Sequence, residues 1–220
     1  MTFLSNRIIQ GDCARLLQLL PDAAVNFVLT DPPYLVWYRD RHGRTLANDD
    51  DPAWVAGVYA ELYRVLKPDT FCLTFYGWGH VDTFLRAWRS AGFRPVGHIV
   101  WVKNYASSTR FLRYRHEQAY VLTKGRPPLP TEPIDYVQPW GYSGNEDHPT
   151  QKSARILAPL IKAFTHPGDL VLDPFAGSGS SLVAAASLGR RFLGTELDRQ
   201  YCEGARAKLA RVDVARRNVA

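Results

Sequence analysis

Apolar residues along the chain fall into two patterns, and each predicts a different element. Short runs, unbroken or alternating, predict strands, and apolar positions spaced three and four apart predict helices. Residues 7–10 (RIIQ) read as a strand ending at Gly11-Asp12, and residues 13–20 (CARLLQLL) as a helix stopped by Pro21. Residues 25–30 (VNFVLT) form a buried strand. Asp51-Pro52 opens a helix that runs to about Leu66 and ends at Lys67-Pro68-Asp69. A strand over 70–76 and a helix over 81–91 follow, with Gly92 as the helix stop. Residues 95–103 and 117–124 are strands around a basic, polar segment without a helix signal, so this pair is expected to be antiparallel. A helix over 150–165, a strand over 169–173, a helix over 178–188, a strand over 191–196 and a helix over 199–212 complete the pattern. Residues 215–220 are expected to fray. Strands that alternate with helices predict an α/β domain with a largely parallel sheet.

Composition narrows this further. The chain has 220 residues, 46% of them apolar, which suits one well-cored domain over 1–220 and argues against disorder. No internal repeat is visible. Residues 125–147, rich in Pro and Gly, read as a short insertion or ordered loop and not as a domain linker. The formal charge of +6 and pI near 9.3 are compatible with a polyanionic partner. Cys13, Cys72 and Cys202 are odd in number and far apart, with neither a disulfide framework nor zinc spacing, and the six His are scattered. No metal site is expected. No apolar run approaches the ~18 residues of a membrane span, and no basic-then-apolar leader is expected at Met1. The expectation is a soluble, cytoplasmic protein with no membrane partner.

Chemistry concentrates where strands stop. Residues 169–189 (DLVLDPFAGSGSSLVAAASLG) read as strand, glycine-rich turn and helix, and in open α/β sheets ligands bind beyond the carboxyl ends of the strands. Gly177 and Gly179 remove side chains where a ligand would approach the backbone. Glu196 ends the next strand about 20 residues on, the spacing at which a carboxylate meets ribose hydroxyls. The turn lacks the full dinucleotide pattern and carries Asp173 and Phe175. A carboxylate there suits a cation better than a pyrophosphate, so the expected ligand is S-adenosylmethionine, an adenosine with a positive centre.

The second site is residues 26–40 (NFVLTDPPYLVWYRD). Asp31 leaves a buried strand at the ligand edge, and Pro32 and Pro33 make a stiff arm with no N–H donors. The arm presents the Asp31 oxygens and the Pro32 carbonyl as fixed acceptors, with the flat ring of Tyr34 beside them. That set suits a planar group bearing an –NH2, such as adenine. Accepting both N–H bonds would make a delocalised amine more nucleophilic and would stabilise the positive charge that develops on methylation.

The segments DPPY (31–34), DPFAGSG (173–179) and HPTQK (148–152), in that order, resemble the bacterial DNA amino-methyltransferases of adenine N6 and cytosine N4, in their permuted β group. The resemblance implies a doubly wound, Rossmann-like sheet of seven strands with one antiparallel strand, for which 117–124 is the candidate. It implies that Asp31, Pro32, Pro33 and Tyr34 are catalytic. It implies that Phe175, Ala176, Gly177, Ser178 and Gly179 line the cofactor with Asp31, and that Asp173 faces its methionine moiety. By the same resemblance Glu196 takes the ribose hydroxyls, Asp12 and the Cys13 backbone hold the adenine, and Thr150 and Lys152 hold the carboxylate. The product would be S-adenosylhomocysteine. Without the resemblance, Asp12 reads equally well as a helix N-cap.

Asp in the first position of the tetrapeptide is more often found in adenine-N6 members. The implied activity is therefore site-specific adenine-N6 methylation of duplex DNA with base flipping, of the restriction-modification kind. A cytosine-N4 enzyme and a catalytically silent DNA-binding module are the alternatives. Residues 35–44 and 103–117 mix Arg and Lys with aromatic rings and are candidates to hold phosphates. Residues 125–147 are the candidate target-recognition segment, shorter than in larger members, and a homodimer follows from the resemblance alone.

Overall fold

A computed structural model of the chain describes residues 5–39, 43, 45–109, 111–130, 132–140 and 152–217. The elements in chain order are β1 (Arg7–Gln10), α1 (Cys13–Leu19), β2 (Val25–Thr30), α2 (Ala53–Val65), β3 (Leu66–Phe75), a single 3-10 turn (Trp78–His80), α3 (Val81–Ala91) and β4 (Arg94–Val102). There follow β5 (Ser108–Thr109), β6 (Arg113–Tyr114), β7 (His116–Lys124), β8 (Val137–Pro139), α4 (Ala154–Phe164), β9 (Leu170–Asp173), α5 (Ser180–Ser187), β10 (Arg191–Glu196) and α6 (Arg199–Arg217).

Eight strands form one sheet in the order β1-β10-β9-β2-β3-β7-β4-β8, while β5 and β6 make a separate two-stranded hairpin. Among the described residues only β7 runs against its neighbours in the sheet, antiparallel to both β3 and β4. The remaining pairings are parallel. Side chains alternate across the sheet. Phe27, Leu29, Leu73, Val171 and Phe192 join the core under α4, α5 and α6, whereas Val28, Cys72, Leu172 and Leu193 join the core under α1, α2 and α3. Both faces are therefore buried, as a parallel sheet requires, and the strands read as near-continuous apolar runs. Each fully buried Leu or Phe here contributes roughly 1.5–3 kcal/mol relative to exposure.

The structure departs from the sequence expectation in five places. The sheet has eight strands where seven were expected. The extra one, β8, is three residues long and lies inside the 125–147 stretch, where its Pro-rich sequence hides any alternation. Lys67-Pro68-Asp69 does not separate helix from strand, because β3 already starts at Leu66. The register slips between the pairs Val25–Leu66 and Phe27–Phe71, so the extra residues are absorbed as a bulge. Asp69 takes φ 55° there, and its carboxylate accepts the Arg126 N–H at 2.7 Å. Helix α4 starts at Ala154 and not at 150, because the Ser153 hydroxyl accepts the Arg155 N–H and caps it. Helix α5 starts at Ser180, after Gly179 in the left-handed region at φ 80°. Helix α6 continues to Arg217, into the stretch expected to fray.

Candidate active site

The parallel strands carry their last residues to one rim. β2 and β9 are neighbours paired through Phe27–Val171 and Val28–Leu172, so Asp31 and Asp173 emerge side by side. β10 and β1 continue the rim with Glu196 and with Gly11-Asp12. A cleft of about 640 Å³ opens there, within the range of roughly 300–1,000 Å³ typical of ligand sites. All four of Asp31 to Tyr34 line it on one side, and Asp12, Cys13, Phe175, Gly177 and Glu196 on the other. A narrow pocket of about 50 Å³ adjoins it, from Asp31 and Lys152 to Asp173, Ala176 and Ser178.

The glycine-rich bend is built on close approach. A Cβ on Gly194 would lie 2.7 Å from the Leu182 side chain and 3.0 Å from the Asp173 carbonyl, so any larger residue there would crowd the bend. Gly177 takes φ 50°, and its N–H donates to Glu196 Oε2 at 2.8 Å. Glu196 Oε1 accepts the Asp198 N–H, also at 2.8 Å. Burial raises the Glu196 carboxyl above its usual value, with the Asp198 and Gly177 N–H groups opposing. Asp173 is buried, and its oxygens accept from the Ser181 hydroxyl and from the Phe175 N–H at 3.1 Å. Burial pushes it up to about 7 against those two donors. Gly179 lines neither cavity. Its Cα faces α6, where a Cβ would meet that of Ala205 at 2.7 Å, so it serves helix packing and not the cleft. Asp12 does cap α1, accepting the Ala14 N–H at 2.8 Å, and it lines the cleft as well.

The Asp-Pro-Pro-Tyr arm is held from three directions. Gly77 packs against it so closely that a Cβ there would lie 2.6 Å from the Tyr34 carbonyl oxygen. Beyond it, Leu35 and Trp37 take φ 64° and 56°, a region disfavoured for bulky residues. Asp49, 2% exposed, fixes that backbone: its carboxylate accepts the Leu35 N–H at 2.8 Å and the Tyr38 N–H at 2.6 Å. On the third side stands a cluster of charge. Tyr34 donates its hydroxyl to Asp31 Oδ1 at 2.8 Å, and Lys152 Nζ donates to Asp31 Oδ2 at 2.6 Å and to the Tyr34 oxygen at 3.2 Å. Glu117 Oε2 lies 3.4 Å from the same hydroxyl, and Glu117 Oε1 is ion-paired to Lys103.

Burial pulls the Lys152 ammonium down, but Asp31 and Glu117 outweigh it and hold Lys152 charged. Burial pushes Glu117 up, but Lys152 and Lys103 outweigh it and hold it below the ordinary carboxylate value. Burial raises Asp31, with Lys152 opposing. Burial and the two carboxylates keep Tyr34 protonated, so it remains a donor.

Of the residues singled out from the sequence, the structure brings the four residues of the arm, Asp12, Cys13, Phe175, Gly177 and Glu196 around one cleft, and Asp173, Ala176, Ser178 and Lys152 around its extension. Sequence reasoning missed Asp49, Glu117 and Lys103. The last two stood in a segment expected to hold phosphates, yet Lys103 is 4% exposed and its ammonium is committed to Glu117. Thr150, His148 and Tyr142, with the basic residues Arg41, Arg44 and Arg110, lie outside the described residues. All three cysteines are buried and unbridged, and burial raises the Cys13 thiol to about 12. Among the described residues no group of three or more His, Cys, Asp and Glu could hold a metal ion, and no helix is long and apolar enough to cross a membrane.

Comparison with known proteins adds an independent line. The profile of a DNA methylase family, N6_N4_Mtase, matches residues 25–207. YubD of Escherichia coli (strain K12), a protein named as a methylase, is 53% identical over 210 residues, covering 96% of this chain and 92% of that one. The type II methyltransferase M.BglII of Bacillus subtilis is 26% identical over 246 residues, covering 90% and 67%. Among solved structures, TTHA0409 of Thermus thermophilus, named as a DNA modification methylase and complexed with S-adenosyl-L-methionine, has a TM-score of 0.73 at 25% identity and covers 94% of this chain and 93% of that one. The cytosine-N4-specific PvuII DNA methyltransferase has a TM-score of 0.74 at 17% identity, covering 94% and 89%, a likeness of fold.

Proposed function

Because this chain belongs to the N6/N4 DNA methylase family, we propose that it methylates adenine N6 at a specific site in duplex DNA, with S-adenosylmethionine as donor and with the base turned out of the helix. The observation that carries the reading is the shared cleft: the Asp31–Tyr34 arm and the Phe175–Gly177 bend with Glu196 line one cavity.

The chain fits the cofactor. Glu196 and Asp12 are carboxylates at the cleft wall for hydroxyls and an amine, and Asp173 is a buried carboxylate for a cation. When bound, S-adenosylmethionine supplies an electrophilic methyl carbon on a sulfonium. Everything else falls to the chain. A carboxylate offers about four lone-pair sites. Asp31, already accepting from Tyr34 and Lys152, therefore keeps capacity for an incoming amine N–H. The Pro32 carbonyl is the second acceptor. The Tyr34 ring, pinned through its hydroxyl, offers a face for stacking. As the amine forms its fourth bond it becomes cationic, and the Asp31 carboxylate stabilises that charge in place, with little reorganisation. The methyl–sulfur bond would break as the nitrogen–carbon bond forms, leaving a neutral thioether, and the amine would then pass one proton to solvent and return to neutral. Two of the three Lys152 N–H donors are committed to the arm, so at most one is left for the cofactor carboxylate.

Incubation with labelled cofactor and duplex DNA, followed by digestion to nucleosides, tests the reading. N6-methyladenine is expected. N4-methylcytosine would move the assignment to the other branch of the family, which the fold accommodates equally well. Label on RNA or protein alone would remove the substrate class, and cofactor binding without transfer would leave a silent module. The 125–147 stretch is the candidate reader of sequence. Substitutions at exposed Leu129 and Tyr136 should then alter the methylated motif in sequencing, and an unchanged motif would remove that role.

A further inference from the structure

Four charged side chains meet behind the arm, and the methyl-transfer chemistry above uses only two of them. Lys103 follows β4 and Glu117 is the second residue of the reversed strand β7. They form an ion pair whose side chains are 5% and 19% exposed, and Lys103 also lies over the Trp140 ring at 4.9 Å. A buried ion pair is a poor source of stability, because desolvation offsets most of its Coulomb energy. This one sits against the arm. The Tyr34 oxygen is within 3.4 Å of Glu117, 3.2 Å of Lys152 and 2.8 Å of Asp31. Lys152 is ion-paired with Asp31 at 2.6 Å, and the Glu117 charge acts on it from beyond ion-pair distance. With two lysines and two carboxylates the cluster is neutral.

Resting on the methyltransferase reading, we propose that Glu117, braced by Lys103, is a positioning residue for methyl transfer. Its charge draws on Lys152 against the pull of Asp31, and its carboxylate lies 3.4 Å from the Tyr34 hydroxyl. Two consequences follow from the geometry. Without the Glu117 charge, nothing would offset the hold of Lys152 on Asp31, and Lys152 would compete more strongly with the target amine for its oxygens. The cluster would also carry one net positive charge before a cationic cofactor arrives. That penalty falls on S-adenosylmethionine, which carries a sulfonium, and far less on S-adenosylhomocysteine, whose sulfur is neutral.

The test compares the affinities of the two ligands by calorimetry in the native protein, E117Q and K103M/E117Q, together with single-turnover methylation. One unit charge within roughly 10–15 Å at an effective dielectric near 20 corresponds to an effect on the order of tenfold. E117Q should therefore weaken S-adenosylmethionine by about tenfold while S-adenosylhomocysteine changes less than about twofold. K103M/E117Q restores neutrality, so its affinity ratio should return towards native, but its turnover should stay low because nothing then offsets the hold of Lys152 on Asp31. E117D should recover part of both.

Equal loss of both ligands in E117Q, with a lowered melting temperature, would reduce the pair to a structural role and overturn the proposal. So would native turnover in K103M/E117Q, a comparison that stands even if E117Q fails to fold. The affinity ratio does not depend on the acceptor base. A protein that methylates no adenine yet shows the ratio change in E117Q would overturn the base assignment and leave the role of Glu117 standing.

Discussion

Asp173 should make cofactor binding depend on pH through a single proton. The carboxylate is buried at the end of β9, and burial raises it to about 7 although Ser181 and the Phe175 N–H oppose the shift. The sign is the reverse of the usual acidic group. Its value in the unfolded chain is about 3.9, so between about pH 4 and 7 the folded protein holds a proton that the unfolded chain has released. In the ligand-free protein this works against the fold increasingly over that window, to a total on the order of 4 kcal/mol above pH 7. A cationic ligand beside Asp173 favours the ionised form and must expel the proton when binding below pH 7. Affinity for S-adenosylmethionine should be near its plateau at pH 7.5, about tenfold weaker at pH 6 and about a hundredfold weaker at pH 5. Calorimetry in two buffers of different ionisation heat should detect close to one proton released per ligand near pH 6. Asp173→Asn should bind weakly at pH 7.5 and lose the slope. Affinity flat from pH 5.5 to 7.5 would refute the reasoning. The same slope in Asp173→Asn would move the proton to another group, with Asp31 the first candidate because burial raises it too.

Three substitutions probe the arm. Asp31→Ala should lower the single-turnover rate by about 10²–10³, the scale of losing one preorganised transition-state partner; its melting temperature should fall as well, because the buried Lys152 ammonium loses the carboxylate 2.6 Å away. Unimpaired turnover would remove the amine-holding role. Gly77→Ala carries no backbone strain at φ −80°, but its Cβ would lie 2.6 Å from the Tyr34 carbonyl oxygen, so the arm must shift. The expected outcome is a fall in kcat with little change in cofactor affinity, and a native kcat would show that the arm has slack. Asp49→Ala strips the acceptor from the Leu35 and Tyr38 N–H groups, at about 1–3 kcal/mol for each group left unpaired, so urea unfolding should show a loss of a few kcal/mol together with reduced turnover. Native stability would mean that the loop finds other partners.

What the sequence made legible was the rim, and for a local reason. In β2, β9 and β10 an apolar run ends abruptly at Thr30-Asp31, Asp173 and Glu196, so the element and its functional end are written in consecutive residues. Asp49 was opaque because it is one of several acidic residues before α2, and only the fold chooses which of them turns inward to the Leu35 backbone. Lys103 and Glu117 were opaque for the same reason at longer range. In a segment that also carries Arg113 and Arg115 they read as solvated charge, and their burial depends on an arm 83 residues away in sequence. The short β8 and the bulge at Lys67-Pro68-Asp69 exist only through pairing with β4 and β2, and no local pattern encodes them.

The reversed strand connects these observations. A parallel strand can offer the rim only its last residues, and the chain then leaves through a loop. β7 runs the other way, pairing Phe75 with Ala119 and Thr74 with Tyr120, so it enters the sheet at the rim and its first residues lie beside the arm. Period-two alternation then decides which of them can act. Glu117 shares a face with Ala119 and Val121, which pack in the core beneath α4, the side from which Lys152 approaches. Gln118 belongs to the opposite face with Tyr120 and Leu122, which pack in the core under α1 to α3. A carboxylate one position later would be buried away from Tyr34. The reversed strand β7 is thus what lets a residue from the far half of the sheet brace a loop that leaves its centre.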